Sequence, residues 1–226
     1  MRMTIDRPDA GGVLFAWFSP AFPTGGFAWS HGLETAAAEG LVSDEHALGD
    51  WLQDILVHGS GWNDAVLFAL AYSAAASGDV AALEDVAALA AALAPSRERL
   101  AETLGQGEAF LAAVRTGWPA AAPDLKGRAP YPVAAGAACA LIGAPLGAAL
   151  GAYLTTFCAN LIAAGVRLSA CGQSGGVRVL ARLHPLIARS AARAEMAEED
   201  DLGACALAAD IASMRHETLE GRLFLS

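Results

Sequence analysis

From Ala129 to Val166 the chain runs through 38 positions without one charged side chain. Few soluble folds accommodate such a stretch, because about 20 apolar residues already suffice to span a bilayer. Gly143, Gly147 and Gly151 repeat within it at the small-xxx-small spacing that suits close helix packing in lipid. The stretch is nevertheless built of Ala and Gly more than of Leu, Ile and Phe, and Pro130, Pro132 and Pro145 punctuate it. Thr155, Thr156 and Asn160 sit in its second half, and only Lys126 and Arg128 precede it as cations. The preferred reading is two buried helices of a soluble core, with the glycine repeat marking a close helix–helix approach. The alternative is a small helical membrane protein.

The rest of the chain is helical in pattern. Ala is the most frequent residue and the best helix former, whereas alternating Val/Ile/Thr runs and Asn-Gly or Asp-Gly turns are scarce. Leu48, Trp51, Leu52, Ile55 and Leu56 fall on one face and predict a helix from about Asp44 to Val57, capped by Ser43 and closed by Gly59–Gly61. Further helices are predicted over Asn63–Ser77, ended by Gly78, and from an Asp79 cap to about Ala94. Another runs from Pro95-Ser96 to about Gly117. Residues 117–132 hold six prolines and glycines and read as a long loop. Helices over Val133–Leu141 and Leu146–Leu168 follow. Then come a glycine turn at Gly172–Gly176, a helix over Val177–Ala194 kinked at Pro185, and a last helix over Asp201–Arg215. The expectation is an all-α, single compact multi-helix domain of about 8–10 helices over residues 12–226, preceded by a flexible polar arm, residues 1–11.

A net charge of −10, with 24 acidic against 14 basic residues, disfavours a nucleic-acid partner. Cys139, Cys158, Cys171 and Cys205 show neither zinc spacing nor the density of a disulfide scaffold and read as reduced thiols of a cytosolic protein. No signal peptide is recognisable at the start. No Walker A motif, nucleophile elbow or helical His pair occurs. The remaining enzymatic candidates, His31 or His216 with Glu34 or Glu217, form no coherent constellation, because neighbours on a helix diverge. His216 reads as a polar contact on a partner surface. Arg178, Arg182, Arg189 and Arg193 share one predicted helix face and read either as a solvated stripe or as a surface that steers a charged partner. Phe15, Trp17, Phe18, Phe22, Phe27 and Trp29 crowd an irregular segment that either plugs the core or forms an interaction surface.

At that segment the chain becomes recognisable. Ser19-Pro20-Ala21-Phe22-Pro23-Thr24-Gly25-Gly26-Phe27 and Ser30-His31-Gly32-Leu33-Glu34 resemble the signature of the UreF family of urease accessory proteins. Tyr131-Pro132-Val133, Gly143-Ala144-Pro145-Leu146 and Ala152-Tyr153-Leu154 resemble its middle section, and Asn160 to Arg167, then Gly172-Gln173-Ser174, resemble the segment before its late helix. Asp210-Ile211-Ala212-Ser213-Met214-Arg215-His216-Glu217-Thr218 and Arg222-Leu223-Phe224 resemble its C-terminal signature. The resemblance implies an all-helical homodimer of the cytoplasm, not an enzyme. It implies a scaffold that binds UreD (UreH), recruits the GTPase UreG and serves nickel insertion into apo-urease. The GTP site then belongs to UreG, and this chain holds neither metal nor cofactor of its own. Arg215, His216, Glu217, Arg222, Leu223 and Phe224 match the region that engages UreD. Pro20, Pro23, Gly25, Gly26, Phe27, Ser30, His31, Gly32, Glu34, Gln173, Arg178 and Arg182 are carried as partner-binding or structural positions. The chain departs from the family at Ser174-Gly175-Gly176-Val177, where Thr-Asp-Gly-Gln is usual, and at Tyr131, where His is common.

Overall fold

The structure is a computed structural model and describes residues 9–226. Among them ten α-helices and three short 3-10 turns occur, and no strand. The helices are α1 (Ala10–Trp17), α2 (Leu33–Ala38), α3 (Glu45–His58), α4 (Ser60–Ser77) and α5 (Val80–Ala92), followed by α6 (Arg97–Gly117), α7 (Tyr131–Leu141), α8 (Leu146–Arg167), α9 (Gln173–Ala194) and α10 (Leu207–His216). Most of the expected arm, residues 1–8, lies outside the described residues. Asp9 caps α1 by accepting from the amides of Gly11 and Gly12.

Local chemistry sets the helix ends. Asp79 and Ser96 accept from the amides of Ala82 and Arg99 at 3.0 Å each and start α5 and α6, as their side-chain type predicts. Asp44, not Ser43, caps α3, taking the Ala47 amide at 2.9 Å. Gly59 ends α3 and also starts α4 at Ser60, three residues before the expected start. A Cβ on Gly61 would lie 2.8 Å from Leu56 Cα, so the sharp passage between the helices needs glycine there. Gly78 closes α4 in the left-handed region, φ 75°.

The charge-free stretch forms α7 and α8, as expected. α7 is buried from Tyr131 to Cys139 and packs on α4 and α6. α8 is the one helix among the described residues long and apolar enough to cross a membrane by length and composition. It packs on α9, α4 and α3 inside the fold. The glycine repeat has a different meaning from the expected one. Gly143 closes α7 in a turn, φ 69°, Gly147 lies under the Glu195 carboxylate, and nothing faces Gly151 within 4 Å. The close approaches lie elsewhere: a Cβ on Gly136 would be 2.3 Å from Phe68 O, and one on Gly107 2.0 Å from Ala129 O.

Two expectations about irregular segments change. The glycine turn at Gly172–Gly176 is helical from Gln173, because α9 begins there and Gly176 lets it close on Ile162 of α8. The last helix starts at Leu207, not Asp201. Side chains of α4 take over the backbone between: Asn63 accepts from the Gly203 and Ala204 amides and donates to Ala204 O, and Trp62 Nε1 donates to Asp201 O at 2.8 Å. A segment satisfied in that way needs no helical bonds of its own. The long loop before α7 is no free linker, since Ala121, Leu125 and Ala129 are buried and the Lys126 amide donates to Glu84.

The crowded aromatics divide between both readings. Trp17 and Phe18 are core, Trp17 meeting Phe110 and Trp118 edge to face at 5.5 and 5.8 Å. Phe15, on the outer side of helical α1, and Phe27 are exposed. Cys139 and Cys158 are buried free thiols, and burial pushes the Cys158 thiol up to about 12.

Candidate functional site

The two recognisable ends of the chain meet in one seam. Residues 28–34 enter it from the N-terminal motif, α6 supplies Glu98, Arg99 and Glu102, α10 supplies His216, and residues 222–226 return as an extended tail. The tail binds by its main chain. The Leu225 amide donates to Ala28 O at 2.9 Å, the Ser30 amide donates to Ser226 O at 2.7 Å, and the Ser30 hydroxyl reaches the same oxygen. Glu34 takes the Leu223 amide at 2.7 Å and the Phe224 amide at 3.0 Å.

His216 is the hub of the seam and is sealed from solvent, at 0% exposure. Its Nε2 faces Glu34 Oε2 at 3.0 Å and its Nδ1 faces Glu98 Oε2 at 2.7 Å. The second oxygen of Glu98 takes Arg222 Nη1 at 2.5 Å. Burial alone would raise the Glu34 carboxyl. The His216 hydrogen bond and the two tail amides outweigh it and hold Glu34 below the usual range. The two carboxylates occupy opposite ring nitrogens, so the three groups do not converge on a point where a metal could sit. No metal-binding group of three or more His, Cys, Asp or Glu residues forms among the described residues.

A second layer lies beneath. Glu102 pairs with Arg99, accepts from Gln106 at 3.1 Å and takes the Ser226 hydroxyl at 2.9 Å. Burial would raise Glu102, but the charge of Arg99, with hydrogen bonds from His31 and Arg99, holds it at about 2. His31 Nε2 lies 2.5 Å from Ser60 Oγ. Burial, with Arg99 beside it, lowers His31 below its ordinary value, so its ring is neutral at pH 7. Asp64 accepts from Tyr153 Oη at 2.9 Å, and burial pushes it up to about 6. His31 itself holds φ 61°, and Gly32 follows at φ 79° with no room for a side chain: its Cβ would lie 2.7 Å from Ser213 N of α10.

The seam gathers most of the motif residues and redistributes their roles. His216 is not on a partner surface; it is internal because α2 and α6 each aim a carboxylate at it. Phe224 is likewise buried, with the Arg167 guanidinium 4.1 Å from its ring centroid, so it is an anchor within this chain. Arg167 also donates to Phe27 O at 2.5 Å and so ties the N-terminal motif to the tail, a link with no signal in the sequence. Glu217 pairs outside the seam with Arg97, and Arg215 with Glu39. Arg222 is half-exposed, and Leu223 and Leu225 stay exposed. Gly26 is packed under Asn160, with 2.7 Å left for a Cβ, and Gly25 takes φ 73° beside it; Pro20, Pro23 and Phe27 face outward.

The arginine face of α9 is not the free steering surface weighed above. Arg178 clasps Glu45 at 2.8 and 2.6 Å, Arg182 reaches Asp50, and Arg193 lies over Trp62 at 4.2 Å. Gln173 is exposed at the start of α9. Tyr131 is buried against Phe110 and Tyr153, an apolar role for the position where His is common. Next to the seam, α10 turns an apolar stripe to solvent. Leu207, Ile211 and Met214 recur at i, i+4 and i+7 and are all exposed. That face belongs to no internal packing, and sequence periodicity alone did not separate it from a core face.

The molecule is an all-helical body in which residues 28–34 and 222–226 lock into a buried polar clamp, with an apolar stripe left outside. A sequence profile of the UreF family matches residues 42–184, and the chain belongs to that family. Urease accessory protein UreF of Brucella ovis is 50% identical over 214 residues, covering 94% of this chain and 92% of that protein. Urease accessory protein UreF 1 of Brucella anthropi is 48% identical over 98% of this chain and 96% of its own length. Urease accessory protein UreF of Azorhizobium caulinodans is 46% identical with 97% of each chain covered.

Proposed function

We propose that this chain is a non-catalytic scaffold of urease maturation in the cytoplasm. As a homodimer it binds UreD (UreH), recruits the GTPase UreG, and presents the assembly to apo-urease for nickel insertion. GTP is bound by UreG, and nickel is cargo of the complex rather than a resident cofactor of this chain. Family membership supports the process. The α10 stripe supports the mode of action: Leu207, Ile211 and Met214 are fixed in place by the seam and left uncovered, with Leu223 and Leu225 of the tail exposed as well. An apolar helix face with a neighbouring Arg222 has the composition of an interface core.

Co-expression with UreD and UreG, followed by light scattering of the purified material, tests the reading. The expected result is a soluble heteromeric complex that Leu207→Glu with Met214→Glu prevents from forming. Both side chains are exposed, so the variant keeps its helicity. A folded wild-type chain that ignores both partners overturns the proposal. A double variant that assembles normally removes the α10 stripe from it.

A further inference from the structure

We infer that the groove between α4 and α5 is a docking site for a basic amphipathic helix of a partner protein. The inference is independent of the reading above, because that site is built by α2, α6, α10 and the tail. The groove measures about 660 Å³. Leu70, Val86 and Leu89 form its floor, each only half-buried by the chain itself. Asp79, Asp85 and Glu199 line it, and no Lys or Arg does.

Two observations select the occupant. The first is the charge on the rim. Some surface acids elsewhere are neutralised by arginine, as Glu39 is by Arg215, Glu45 by Arg178, Asp50 by Arg182 and Glu108 by Arg128. Among the described residues Asp85 and Glu199 have no basic partner, and Asp79 serves only as the α5 cap. The second is the fixed position of the acidic wall. Glu199 opens a 3-10 turn (Glu199–Asp201) closed by a reciprocal cap between Glu198 and Asp201. Trp62 of α4 holds that turn through the Asp201 carbonyl at 2.8 Å. A groove apolar along Leu70, Val86 and Leu89 and negative at Asp79, Asp85 and Glu199 fits a helix with apolar residues on one side and cations flanking them. An anionic ligand would meet three carboxylates, and a neutral apolar one would leave them unmatched.

The full chain is titrated against a fluorescein-labelled synthetic peptide of about 18 residues, long enough for about five helical turns. It carries Leu at helix-spaced positions and Lys on both flanks. The expected result is saturable binding by fluorescence anisotropy, at least ~10-fold weaker for Asp85→Lys with Glu199→Lys. An equally charged peptide with Gln in place of Leu is also expected to bind at least ~10-fold more weakly. Circular dichroism of the variant checks its fold; should it fail to fold, Asp85→Asn with Glu199→Gln replaces it, with the same expected direction. Absence of binding to the wild type overturns the proposal. So does an affinity indifferent to the rim charges, or one retained by the Gln peptide.

Discussion

Where α7 crosses α4, the backbone of Gly136 lies against the Phe68 carbonyl, and the nearest atoms are all backbone. The seam that holds residues 222–226 is instead made largely of ionisable groups, several of them nearly as buried. The helix crossing is held by what has been left out, a Cβ that would sit 2.3 Å from a backbone oxygen. The seam is held by what has been paired: Glu34, Glu98 and Glu102 each have at least two partners. The two regions therefore fail differently. A helix crossing resists added volume, whereas a polar seam resists any loss of a partner, because the group left behind remains buried without compensation.

The largest effect is expected at Glu34, which serves His216, Leu223 and Phe224 at once. Glu34→Ala should cost about 3–5 kcal/mol, the range for removing one partner from a buried charged pair. Denaturant titration gives the loss, and hydrogen exchange should show the Leu223 and Phe224 amides unprotected. Tail amides that stay protected would mean that Phe224 and Arg167 hold the tail without the carboxylate.

A smaller loss is expected in the apolar region. Gly136→Ala should destabilise by about 1–3 kcal/mol, as overpacking does. Gly151→Ala, on the adjacent α8 with open space before it, should be neutral or stabilise by up to about 1 kcal/mol through helix propensity. Equal melting temperatures for the two variants would show that the α4–α7 distance is adjustable.

Asp64 sharpens the comparison through pH. Burial raises it from 3.8 to about 6, so the folded chain binds this proton more tightly than the unfolded chain. The stability that this provides is complete below pH 3.8 and is lost as pH rises through about 6. Glu102 works in the opposite sense: held at about 2, it contributes fully above pH 4.5 and loses its contribution as pH falls toward 2. Asp64→Asn should therefore gain on the wild type steadily between pH 4 and 7 in melting temperature. A constant difference across that range would place Asp64 in a polar, hydrated setting. The smallest effect belongs to the surface: Arg178→Ala, losing only the exposed clasp on Glu45, should leave the melting temperature unchanged within error.

The helical class and most helix ends were legible in the sequence, because caps such as Asp79 and Ser96 act within three residues of themselves. The failures share one cause. Asp201–Ala206 reads as helix until Trp62 and Asn63, about 140 positions away, claim its backbone. The repeated glycines Gly143, Gly147 and Gly151 look more important than Gly107 or Gly136, yet only the tertiary path decides which glycine meets another backbone. The site was legible as residues but not as roles. His216 and Phe224 carry the look of contact residues, and their burial follows from the distant Glu34, Glu98 and Arg167.

The Ser30–Ser226 contact joins residues 196 positions apart. Contacts of such sequence separation form late and slow the final folding step. During synthesis, the segment around Glu34 leaves the ribosome long before residues 222–226 exist to cover it. The carboxylates on α2 and α6 and the imidazole on α10 have no complete set of partners until that strip arrives. Closure of the seam therefore waits on residues 222–226, and a product truncated before them would lack its main-chain strap and keep Glu34 short of two of its donors.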